Sequence, residues 1–230
     1  MGLVPSHAGT VPALSQRTAL DPSVRDERDP SQRDPALDIY SPGCPAQPPY
    51  DDAFVQRFRA AQIARNRRIT GWVQDRLAAL RADGLHQEEF AFITHRTMCD
   101  VRWLDSTQDA NERRPNWCYL GEPRQVNNGP VALARFNTLR GWLSQWSYDL
   151  SNANGLTCAA RLSVPVLVIG NGADDACTPS HTQRLFAAIG HDNKQLHEVA
   201  GANHYYFGQP DKLAQAVERC DAWLRAHDFG

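Results

Sequence analysis

Between Ser163 and Pro179 the chain reads SVPVLVIGNGADDACTP, and this stretch restricts the fold more than any other. Val164, Val166, Leu167, Val168 and Ile169 form a short apolar run, β-branched except at Leu167. Such a run suits a parallel strand covered on both faces. Gly170 and Gly172 then permit a sharp turn. Asp174 and Asp175 follow at the strand's C-terminal end, where open α/β sheets place their chemistry. Ser180 can cap a helix through Arg184, Leu185, Phe186 and Ile189, which Gly190 ends. Lys194–Val199 reads as the next strand, and His204 lies in the loop beyond it, within GANHYYFG. The predicted unit is strand, acidic loop, helix, strand, histidine loop, helix, which makes the fold class α/β.

Upstream the pattern changes. Asp-Pro recurs at Asp21, Asp29 and Asp34, and Pro42, Pro45, Pro48 and Pro49 follow. Each proline removes a donor and restricts its predecessor, so residues 21–50 read as loop. The charges of Asp26-Glu27-Arg28-Asp29 read as solvated. Residues 51–83 predict a helix capped by Asp51 or Asp52 and stopped by Gly84. Its apolar positions Phe54, Phe58, Ala61, Ile69, Trp72, Val73, Leu77 and Leu80 recur at helical spacing. A break at Ile69-Thr70-Gly71 is an alternative. Seven arginines lie from Arg57 to Arg81. A solvated face whose arginine stems cover apolar surface explains them better than a nucleic-acid surface. Phe90–Thr94 predicts a short strand, residues 105–130 a loop, and Leu133–Tyr148 a second helix. Trp103, Trp117, Trp142 and Trp146 concentrate here, as a small core or as the lining of an apolar pocket.

Residues 163–227 resemble the C-terminal part of an α/β-hydrolase. In that family an acid follows one strand and a histidine the next, and the acid commonly stands four residues before a proline. Asp175 precedes Pro179 by four, and Gly201-Ala202-Asn203 lead into His204. The segments LDPSVRDERDP, DPALDIY, RPNWCYLG and LRGWLSQWSYD resemble the insert of a bacterial branch of the family. The resemblance implies a partial α/β-hydrolase fold with a largely helical cap. Residues 1–20 would be a remnant of core strand and exit loop, 21–157 the cap, and 158–230 the C-terminal part of the core. It also implies that Asp175 and His204 are the acid and base of a Ser-Asp-His triad. Asp174 competes with Asp175 for the acid's place. Trp142, Trp146 and Tyr205 are the candidates for pocket lining.

A triad needs a hydroxyl for the base to activate. The chain contains no G-x-S-x-G and no G-x-C-x-G. Ser6 has misplaced glycines around it, Cys44 is held between prolines, and Cys177 and Ser180 follow the acid strand. Losing a serine nucleophile costs roughly 10⁶ in turnover. The expectation is therefore an esterase-like hydrolase part that is inactive alone, its nucleophile lying upstream. The alternative is a non-catalytic relative that pairs through an open sheet edge, since two or three strands would leave such an edge exposed. Gly170-Asn171-Gly172 is not a dinucleotide fingerprint, because Asp175 stands where its third glycine belongs.

A net charge of −2 draws the chain to neither nucleic acid nor membrane. The expected partner is a small molecule, an apolar acyl compound, with a homo-oligomer as a further possibility. The six cysteines form no C-x-x-C, and no His/Cys group has zinc spacing. Reduced thiols, a cytoplasmic location, and no cofactor or metal are expected.

Overall fold

A computed structural model describes residues 19–86 and 89–227. The remnant strand and exit loop expected in residues 1–20, Ser6 among them, fall almost entirely outside the described residues.

The body of the molecule is built on α1, Asp52–Ala82, capped by Asp51, whose side chain accepts the Phe54 N–H. The helix runs unbroken through Ile69-Thr70-Gly71. Ile69 and Thr70 are buried there, and tertiary packing outweighs the weak propensity of a β-branched pair beside glycine. Phe54 and Phe58 join Ile39, Tyr40, Tyr50 and Val101 in one apolar cluster. Ile69, Val73, Leu77 and Leu80 join Leu20, Leu139 and Trp142 in another. Between the clusters the buried face of α1 is polar, and its side chains bond to loop backbone. Gln62 donates to the carbonyls of Leu20 and Cys99, and Asn66 donates to that of Trp146. Buried main-chain groups of irregular segments need such partners.

The arginines of α1 are less solvated than their spacing suggests. Arg65 is buried and bonds to Glu27 and to the carbonyls of Asp21, His95 and Arg96. Arg59 pairs with Asp100, Arg67 with Asp149, and Arg68 with Glu27. Glu27 is thus a partner of two guanidiniums rather than a free surface charge. Residues 19–50 are loop, as their prolines require. Asp21, Asp26, Asp29 and Asp34 each accept the N–H two residues on, which orders the segment locally.

The first strand, β1 (Ala91–Ile93), pairs antiparallel with β2 (Phe136–Thr138), with Phe92 opposite Asn137. Between them lie two short helices, α2 (Val101–Leu104) and α3 (Pro123–Asn128). The helix predicted over Leu133–Tyr148 is therefore interrupted. Its first half is β2, and Thr138 caps a turn, α4 (Leu139–Gly141), that passes into a π-helical turn at Trp142–Trp146. The competing interaction is the strand pairing, which helical periodicity alone does not reveal. A short helix, α5 (Gly155–Ala159), leads to the second unit.

That unit follows the predicted order. The strand β3 (Val166–Asn171) pairs parallel with β4 (Lys194–Val199), Val166 opposite Lys194 and Asn171 opposite Val199. Two helices accompany the pair, α6 (Pro179–Ala188) and α7 (Pro210–Ala226). Its core is small: Val199, Ala202 and Ala216, with Ile169 and Tyr206 against them. Among the described residues both sheets have only two strands. The fold is mixed α/β, with small sheets and one long helix where a largely helical cap was expected. No helix among the described residues is long and apolar enough to cross a membrane. All six cysteines are free.

Candidate functional site

Parallel pairing aligns the C-terminal ends of β3 and β4 and so brings their loops together. The Gly172 N–H bonds to the Val199 carbonyl, and the Ala173 N–H to the Ala202 carbonyl. A side chain at Gly172 would collide with the histidine loop, because its Cβ would sit 2.9 Å from the Gly201 nitrogen. Gly201 and Tyr206 take positive φ, and Asn203 bonds with its side chain to both the N–H and the carbonyl of Phe207. These features fold residues 200–209 tightly over the end of β3. Asn171 and Tyr206 tie the two loops further, the tyrosine hydroxyl donating to the Asn171 side chain at 2.7 Å.

The result is a buried carboxylate–imidazole pair. His204 Nδ1 lies 2.9 and 3.0 Å from the two carboxylate oxygens of Asp174. Asp174 Oδ1 also accepts the N–H groups of Ala176 and Cys177, at 2.8 and 2.7 Å. Three interactions thus fix one oxygen and leave the carboxylate no freedom to turn away. The carboxylate that meets His204 belongs to Asp174, and the proline spacing that pointed to Asp175 selects the wrong neighbour. Asp174 lies in the turn closed by its own N–H on the Asn171 carbonyl, and one position in that turn decides the partner. Asp175 is buried beside the pair, and its Oδ1 has no hydrogen-bond partner. Burial and then the charge of Asp174 raise its carboxyl to about 6, against the opposing pull of His204.

Residues 100–121 grip the acidic loop from the other side. Trp103 Nε1 donates to the Asp175 carbonyl at 2.6 Å, and Asn111 donates to that of Asp174 at 2.8 Å. The Glu112 N–H bonds to the Gly172 carbonyl, and its carboxylate accepts from Gly201 N–H. Arg102 reaches Thr178, the N-cap of α6, and Asp109 accepts from both the N–H and the hydroxyl of Ser180. Ser180 is therefore held by a cap from elsewhere in the chain and is not itself the cap. Tyr119 and Tyr205 flank the imidazole, with ring centroids 5.4 and 4.7 Å from it. Of the three expected lining residues, only Tyr205 lies at the site. Trp142 is wholly buried on α1, where its indole donates to Thr70, and Trp146 packs against the same cluster.

Asn111, Glu112 and Tyr119 were not legible as site residues, and Trp103 only as one of four tryptophans of a small core or a pocket lining. Trp103 and Asn111 reach the acidic loop across 72 and 63 positions, and no local spacing encodes that. Cys177 was also missed. Its thiol shares one spot with the carboxylate of Asp174 and the ring of His204. Burial pushes this thiol well above its ordinary range, and the Asp174 charge adds to the shift.

Comparison of the chain with protein-family models, with curated proteins and with solved structures gives no match in any of the three.

Proposed function

We infer that the chain is the C-terminal portion of a serine-type hydrolase and supplies the histidine and acid of its proton relay. The observation that carries this reading is the Asp174–His204 contact at the ends of two adjacent parallel strands. A carboxylate on Nδ1 fixes the tautomer that places the proton there and makes Nε2 the basic nitrogen. His204 then takes the proton of an attacking hydroxyl and returns it to the leaving group. Asp174 stabilises the imidazolium formed between those steps. Tyr119 and Tyr205 present apolar ring surface beside the base, which suits an apolar acyl group.

The test is to express residues 1–230 and an in-frame upstream extension, then treat each with a fluorophosphonate probe and a p-nitrophenyl ester. The extended chain should label and turn over ester. His204→Ala should remove about 10⁶ of that rate, and Asp174→Asn about 10⁴. Asp175→Asn should cost far less. Labelling of residues 1–230 alone, abolished by His204→Ala, would overturn the placement of the nucleophile. An upstream stop codon with no elbow motif behind it would overturn the reading itself.

The second reading, a non-catalytic protein that pairs through this unit, is favoured by exposed apolar side chains on it. Val164, Leu213, Val217 and Phe207 are about half exposed or more. A stable oligomer without probe labelling is its signature.

A further inference from the structure

Asp174, Cys177 and His204 converge from two loops on a single spot. A carboxylate oxygen, the thiol sulfur and a ring nitrogen lie within 4.8 Å of one another. The Asp174 and His204 side chains there are almost fully buried. Sulfur, imidazole nitrogen and carboxylate oxygen together are a zinc donor set. The thiolate selects against the hard cations calcium and magnesium, which prefer oxygen alone. The spacing is also close to what the metal requires. Two ligand atoms on a tetrahedral zinc with bonds of about 2.0 Å are roughly 3.3 Å apart, and His204 Nδ1 lies 3.0 Å from Asp174 Oδ2, the oxygen not engaged by the Ala176 and Cys177 N–H groups.

An independent observation comes from Asp175. The residue is 6% exposed, and its Oδ1 has no hydrogen-bond partner. Among the described residues no lysine or arginine pairs with either aspartate. Arg102 bonds to Asp100 and Thr178, and Arg113 to the carbonyls of residues 102, 105, 108 and 109 and to Asn111. Two adjacent buried carboxylates, one of them on the imidazole and neither in an ion pair with a lysine or arginine, favour a divalent cation as a neutralising ligand.

We propose that this cluster is a zinc site, with Asp174, Cys177 and His204 as its ligands. Zinc takes the place of the proton between Nδ1 and the carboxylate. The proton that Nδ1 held moves to Nε2, and the Cys177 thiol proton goes to solvent, so one proton leaves per metal bound. The site does not depend on the hydrolase reading. Where both hold, zinc and the proton relay compete for the same imidazole, and metal binding switches the relay off.

The purified chain, stripped with a chelator, is titrated with Zn²⁺ by calorimetry and with Co²⁺ by absorption. One equivalent should bind with release of one proton, and cobalt should show a thiolate charge-transfer band. Cys177→Ala and His204→Ala should each weaken zinc binding at least about 100-fold, and Asp175→Asn about tenfold. Cys158→Ala and Cys220→Ala, at exposed cysteines, should leave it unchanged. The cobalt band in the unmodified chain needs no variant and so reads the site even if Cys177→Ala fails to fold. Absence of that band, absence of zinc binding, or undiminished binding in a folded Cys177→Ala chain overturns the proposal. None of these outcomes bears on the fluorophosphonate result, which reads a hydroxyl.

Discussion

Asp100 shows how much a single buried carboxylate organises. It is almost fully buried and bonds to two guanidiniums, those of Arg59 and Arg102, while capping α2 through the Arg102 N–H. Burial alone would raise its carboxyl, but Arg102 and then Arg59 overcome this and hold it far below the usual carboxylate range. A carboxyl depressed in the folded state contributes stability above its unfolded value near 4 and loses it as pH falls below that. Asp100→Asn should destabilise the chain by about 3–5 kcal/mol at pH 7, because the buried Arg102 and the partly buried Arg59 lose their carboxylate partner. The deficit should shrink as pH falls below about 4, read by chemical denaturation at several pH values. A constant deficit would mean that the asparagine loses packing rather than charge. Nothing in Met98-Cys99-Asp100 marks this acid as the buried one. Asp174 and Asp175 were legible as a pair at a strand end, but the choice between them depends on turn geometry.

At the level of elements, α6 illustrates a helix whose start is set by a distant loop. Thr178 is its N-cap but makes no side-chain cap bond. Asp109, some 70 residues earlier, accepts from Ser180 instead and places its charge at the positive end of the helix. Asp109→Ala should cost about 1 kcal/mol, within the ordinary range of 0.5–2 for a lost cap. It should also loosen the acidic loop, seen as faster amide exchange at Ala176 and Cys177. Unchanged exchange there would show that Trp103 and Asn111 hold the loop without it. The α1 helix, β3 and β4 were readable because each carries its own periodicity or apolar run. The stretch Leu133–Tyr148 was not, since its helical spacing of aromatics coexists with a strand pairing to residues 91–93.

The molecule as a whole is divided unequally. The larger clusters surround α1, whereas the unit that carries Asp174 and His204 has a core of three buried apolar residues with two more against it. Its parallel pair stands without further strands among the described residues, and Leu213 and Val217 lie exposed one turn apart on α7. Exposed apolar surface of this kind promotes association. Val217→Lys should change stability by no more than about 0.5 kcal/mol and should weaken self-association measured by sedimentation. A wild-type chain that is monomeric at all concentrations would remove the basis for that expectation.

Local order came from the sequence itself: a β-branched run makes a strand, a heptad-like stripe makes a helix, and glycines and prolines punctuate both. These follow from forces between residues a few positions apart. Tertiary structure alone decided which aspartate meets His204, that Cys177 joins them, and that residues from Trp103 to Tyr119 enclose the site. Those contacts reach across as many as 89 positions, and only the folded backbone fixes which side chains they bring together.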